Sequence, residues 1–128
     1  MKLLLDTHLL LWVVSGSPRL PPAARDSISD PHARLLFSVA SIWEVAIKIR
    51  LRKQDFRWEA SVLRRGLLDH GYAELPVVGS HALAIVALPS IHRDPFDRML
   101  VAQAMAEDIV LLTADPMLAR YPGPVRLV

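Results

Sequence analysis

Cysteine is absent from the 128 residues, which excludes a disulfide framework, a thiolate-held zinc or iron–sulfur centre and a cysteine nucleophile. Whatever chemistry the chain performs uses oxygen or nitrogen groups. Its histidines show no H-x-x-x-H spacing, and neither G-x-x-x-x-G-K nor G-x-G-x-x-G occurs to cradle a nucleotide phosphate. No Ser-His-acid arrangement is apparent. A long apolar run is also missing. The opening MKLLLDTHLLLWVVSGS is broken by Asp6 and His8, so only Leu9 to Val14 is uninterrupted, short of the roughly 7–15 residues of a signal core or the roughly 20 of a membrane span. A buried strand running into a helix is the reading of this segment, and a cytoplasmic protein without a membrane partner is expected. Charge of one sign does not dominate either. Lys and Arg number 15 against 13 Asp and Glu, a mildly basic balance that allows a polyanionic partner without requiring one.

What is present is enough apolar material for a core. Hydrophobic residues make up 52% and charged ones 22% of the sequence, with a mean hydropathy of +0.30, so residues 1–128 are expected to fold as a single domain. Lys2 to Leu5 reads as a strand and His8 to Val14 as a buried helix. Pro22 opens a second helix through Ile28. Arg34 to Val39 reads as an interior strand, and Ala40 to Lys53 as a helix, because Ile42, Val45, Ala46 and Ile49 recur at the helical period. Trp58 to His70 is predicted helical, Tyr72 to Val78 a strand interrupted by Pro76, and His81 to Leu88 a short helix. After a loop from Pro89 to Arg93, the clearest helix runs from Asp94 to Glu107. Ile109 to Thr113 is strongly β-prone, and Val125 to Val128 is placed as an edge strand. This alternation implies an α/β fold, a three-layer α/β/α sandwich around a mainly parallel central sheet.

Four acids then occupy equivalent places. Asp6 ends the first strand and Asp115 follows the fourth, while Asp97 and Glu44 lie in the first turns of helices. In a parallel sheet the C-terminal strand ends and the N-terminal helix ends share one edge, where such folds bind ligands. Taken singly, each acid has a structural excuse: Asp94-Pro95-Phe96-Asp97 and Asp115-Pro116 look like capped helix starts, and Asp6 is placed to cap the next helix. Glu44 needs a partner on its apolar helix, and Lys48 one turn later is in reach. Taken together, converging carboxylates call for a cation. Two of them about 4 Å apart repel by roughly 4 kcal/mol at an effective dielectric near 20. Oxygen donors without thiolates favour Mg²⁺ or Mn²⁺ over Zn²⁺, and such an ion activates water and offsets charge in phosphodiester hydrolysis.

Other residues fit that substrate. Lys48, Arg50, Arg52, Lys53, Arg57, Arg64 and Arg65 place 7 of the 15 cations within 18 residues, a stretch able to track a phosphate backbone or to form a solvated helical face. Of these, Lys48, Arg52 and Lys53 are the expected RNA contacts. Trp43 and Trp58 are read as core rather than as stacking surfaces. Thr7 and Thr113 stand near proposed ligands and are candidates to orient them. His92 is expected to bond a nearby carboxylate, with substrate or metal binding as the alternative. His8, His32, His70 and His81 show no constellation. Ser41, three residues before Glu44, suggests a capping box.

The motifs LLLDTHLLLW, S-I-W-E-V-A-I-K, H-R-D-P-F-D-R-M-L-V-A-Q-A and L-L-T-A-D-P, in this order and spacing across nearly the whole chain, resemble PIN-domain proteins of the VapC toxin type. The resemblance implies a type II toxin–antitoxin endoribonuclease dependent on Mg²⁺ or Mn²⁺, usually a homodimer and held inactive by a cognate VapB-like antitoxin. Carried over by position, it assigns Asp6, Glu44, Asp97 and Asp115 as catalytic and metal-binding, leaves Asp94 secondary, and gives Arg98 either a phosphate or an acid as partner. A dehalogenase-like phosphatase would need D-x-D where this chain has Asp6-Thr7-His8, and a receiver domain would need an acidic pair and a late lysine. The rival from another class is a non-catalytic RNA- or protein-binding module whose acids only cap helices.

Overall fold

A computed structural model describes residues 1–51 and 58–128. The strands are β1 (Lys2–Leu5), β2 (Arg34–Ser38), β3 (Ala73–Leu75), β4 (Val110–Thr113) and β5 (Val125–Leu127). They form one sheet in the order β3-β2-β1-β4-β5, and every neighbouring pair is parallel. The helices are α1 (Thr7–Ser15), α2 (Pro22–Ser29), α3 (Val39–Arg50), α4 (Ala60–Asp69), α5 (Gly79–Ala84) and α6 (Pro95–Glu107), with 3₁₀ turns at Ile85–Ala87 and Leu118–Arg120.

The three leucines of β1 explain the layering. Side chains alternate along a strand, so Leu3 and Leu5 enter a cluster with Leu9, Leu10, Leu63 and Leu67 from α1 and α4. Leu4 enters the opposite cluster, with Leu100, Val101 and Ala104 from α6 and Leu111 from β4. All three are buried, which is why the strand reads as an unbroken apolar run instead of an alternating one. Each such leucine contributes about 1.5–3 kcal/mol of burial.

The observed elements differ from the expected ones where local chemistry decides. The Ser38 side chain accepts the N–H of Ala40, so α3 starts at Val39 and Ser41 lies inside the helix instead of capping it. β3 stops at Leu75 because Pro76 has no N–H to extend the ladder. The helix expected from His81 starts earlier, at Gly79, and tightens into the 3₁₀ turn. Gly16 ends α1 in the left-handed region at φ 64° and donates its N–H back to Trp12 and Val13 carbonyls.

The chain steps from β1 outward to β2 and β3, then crosses back to place β4 on the other side of β1. That reversal opens a crevice at the C-terminal ends of β1 and β4. Asp6 follows β1 directly, and Asp115 lies two residues beyond β4. Among the described residues no helix is long and apolar enough to cross a membrane.

Candidate active site

Asp6 both caps a helix and belongs to the crevice. Its Oδ1 accepts the N–H of Leu9 at 3.0 Å, and its Oδ2 accepts the Thr113 hydroxyl at 2.6 Å. Burial pushes the carboxyl above its ordinary range, and these two hydrogen bonds only partly offset that. Thr113 is itself buried and also accepts the N–H of Asp115 at 3.0 Å. One hydroxyl therefore ties the end of β1 to the residue after β4.

Glu44 is buried on α3. Its Oε1 accepts the Thr7 hydroxyl at 2.6 Å, which also lies 2.9 Å from the Ser41 hydroxyl. Its Oε2 meets Lys48 Nζ at 2.5 Å, the partner that i,i+4 spacing predicts. Lys48 reaches Asp94 Oδ2 as well, at 3.2 Å. Burial works against the ammonium, but Glu44 and Asp94 outweigh it and hold the Lys48 pKa above its ordinary value. The lysine expected to meet RNA is thus engaged within the acid group. Arg52 and Lys53, the other two expected contacts, lie outside the described residues, as does Arg57.

Asp94 caps α6, its Oδ1 accepting from the N–H groups of Phe96 at 2.8 Å and Asp97 at 3.4 Å. Asp97 in the first turn points toward His92, whose Nε2 lies 3.3 Å from its Oδ2. The same Nε2 lies 3.2 Å from Asp115 Oδ2, while Asp115 Oδ1 accepts from Met117 N–H at 2.9 Å. The His92, Asp97 and Asp115 donor atoms all fall within 4.8 Å of one another. The charges of Glu44 and Asp6 reach Asp97 as well. Burial, then the charges of Asp94, Glu44 and Asp6, push the Asp97 pKa to about 8, with Lys48 pulling weakly the other way. The arrangement is short of positive charge, and its donors are mainly carboxylate oxygens. A hard divalent cation fits that deficit.

Other side chains fall where the sequence does not place them. Arg98 forms no ion pair with an acid among the described residues: Nη1 donates to the Pro89 carbonyl at 3.0 Å and the Tyr121 hydroxyl at 3.2 Å, and Nη2 to the Ile85 carbonyl at 3.4 Å. Trp43 is 61% exposed instead of core, packed edge-on against Phe96 with centroids 5.1 Å apart. Trp58 does pack against the core. His81, without a visible partner in the sequence, is buried, accepts Val78 N–H at 3.2 Å on Nδ1 and meets Glu107 Oε1 at 2.7 Å through Nε2.

Residues 3–124 match the family described as PIN domain. The chain belongs to the PIN-domain family. A search among curated proteins returns no significant match. Solved structures share the fold of this PIN domain over its full length. A chain of VapBC2 from Rickettsia felis, bound to a DNA fragment from its promoter, superposes with a TM-score of 0.71 at 12% identity, covering 100% of this chain and 99% of that one. A chain of DNA-bound VapBC from Salmonella typhimurium gives 0.69 at 16% identity, covering 98% and 97%. VapBC-5 from Mycobacterium tuberculosis, a member of a toxin–antitoxin family, gives 0.64 at 18% identity, covering 99% and 97%.

Proposed function

We propose that this PIN domain is the toxin of a type II toxin–antitoxin pair of the VapC kind, a Mg²⁺- or Mn²⁺-dependent endoribonuclease restrained by a VapB-like antitoxin and acting in the cytoplasm. The observation that carries the reading is the closeness of Asp97 and Asp115 at the sheet's reversal point, with burial and then the charges of Asp94, Glu44 and Asp6 favouring the protonated form of Asp97. Asp6, Glu44, Asp97 and Asp115 would hold the ion. When bound, it supplies Lewis-acid chemistry, activating water and offsetting charge on the phosphodiester. The chain's own residues fix the geometry for this. Thr113 holds the free oxygen of Asp6, Thr7 and Lys48 hold the two oxygens of Glu44, and each acid is anchored before substrate arrives. Arg52 and Lys53 are proposed to attract the RNA phosphates, while Lys48 balances Glu44 and Asp94.

The test is cleavage of total RNA by antitoxin-free protein with Mg²⁺, Mn²⁺ or EDTA. Internal cuts that disappear with EDTA are expected. RNA bound but intact at every metal concentration favours the non-catalytic binding module instead.

A homodimer is proposed from a separate observation. An apolar cavity of about 350 Å³ is walled by Trp43, Val77, Ile85, Phe96 and Met99 among others. On either side of Ile85 in sequence, Leu83 and Val86 are 74% and 85% exposed, apolar side chains that a partner surface would cover. A second copy covering this face is expected to give twice the 14.3 kDa of one chain in light scattering, and Val86→Glu to shift the protein toward the single-chain mass.

A further inference from the structure

We propose that His92, as a fixed Nε2–H donor, positions Asp115 beside Asp97 and stays out of the coordination of the cation, a reading that rests on the metal-nuclease assignment above. Three donor atoms within 4.8 Å invite the opposite view, with His92 as a third ligand. Ligation requires a lone pair on Nε2. The backbone denies it: the N–H of Asp94 donates to His92 Nδ1 at 3.0 Å, so Nδ1 carries the lone pair and Nε2 carries the proton. Reversing the tautomer would set one N–H against another. The proton on Nε2 goes to Asp115 Oδ2 at 3.2 Å, its hydrogen-bond acceptor, while Asp97 Oδ2 lies 3.3 Å from the same nitrogen as a charge contact.

The backbone that carries the ring is also held. The His92 N–H donates to the Tyr121 hydroxyl at 2.8 Å, and that hydroxyl lies 3.4 Å from the His92 carbonyl. Tyr121 is buried, and Arg98 donates both to its hydroxyl and to the Pro89 carbonyl. This gives Arg98 its use, clamping the loop that carries the imidazole. Asp115 needs such a device most. It stands on a loop with its side chain 41% exposed, against 18% for Asp97, and two like charges do not come together unaided. The His92 N–H holds Asp115 Oδ2 within 4.8 Å of an Asp97 oxygen. An oxygen-only ligand set then follows, which selects Mg²⁺ or Mn²⁺ over Zn²⁺.

Long-range ¹H–¹⁵N correlation spectra of the histidine-labelled chain decide the tautomer directly, first without metal and then with Mg²⁺ alone. The expected spectrum shows His92 protonated on Nε2 in both states. Calorimetric Mg²⁺ titrations of His92→Ala and His92→Gln supply the second readout. Alanine is expected to weaken Mg²⁺ binding by about 10- to 100-fold, while glutamine, which keeps an N–H donor, restores most of it. Loss of the Nε2 proton on Mg²⁺ addition, or a glutamine variant no better than alanine, overturns the proposal. Intact RNA despite normal Mg²⁺ binding removes the nuclease reading instead and leaves the role of His92 standing.

Discussion

Asp97→Asn is expected to lower RNA cleavage by about 1,000-fold or more while making the metal-free protein more stable near pH 8. Both effects come from one charge. Asp97 sits in the first turn of α6, where burial and then Asp94, Glu44 and Asp6 raise its pKa to about 8 from an ordinary 3.8. Asparagine keeps the shape but carries no charge to be buried. At about 1.4 kcal/mol per pKa unit, discounted for partial exposure, removing that charge is worth about 1–3 kcal/mol in urea denaturation with EDTA at pH 8. The activity loss reflects a missing anionic ligand in a site whose ion supplies several kcal/mol to the transition state. A variant that loses activity and stability together would show instead that Asp97 serves the fold.

The second large effect is in pH dependence. Because the folded pKa of Asp97 lies above the unfolded one, the native state binds more protons than the unfolded chain between about pH 4 and pH 8. The stability this contributes is complete below the unfolded value and is lost as pH rises through the folded one. Asp6, also raised by burial, acts in the same direction. Thermal unfolding in EDTA is therefore expected to show a falling midpoint from pH 5 to pH 8. Metal reverses the trend, since it binds the carboxylate form. Mg²⁺ affinity should rise by about tenfold from pH 6 to pH 7 and by about fivefold from pH 7 to pH 8, with about one proton released per ion at pH 6 and about half a proton at pH 8. Calorimetry in two buffers of different ionisation enthalpy measures that proton. A flat EDTA profile with no proton release would contradict the crowded-acid account.

The sheet was readable because its strands are covered on both faces. Leu3 to Leu5 and Leu111 to Thr113 announce themselves as short apolar runs, and acids at their ends follow from strand order alone. Asp94 announced its cap through the proline after it. Harder to read were contacts whose partners lie far along the chain. Tyr121 meets His92 across 29 residues, and His81 meets Glu107 across 26, with no spacing rule to link them. Trp43 misled for another reason. Its position on α3 is compatible with a core face, but within one chain that face opens onto the cavity it shares with Phe96. Ser41 gave a capping pattern that Ser38, three residues earlier, already fulfilled. The basic stretch was legible as charge but not as role, because Arg64 turns to Glu74 and Lys48 turns inward.

The Thr113 hydroxyl bond to Asp6 joins residues 107 positions apart. During synthesis the first strand leaves the ribosome long before its fourth-strand neighbour exists, so a growing chain carries only a fragment of the acid group. The acid group is therefore completed only once translation has passed β4 and the two strands have paired.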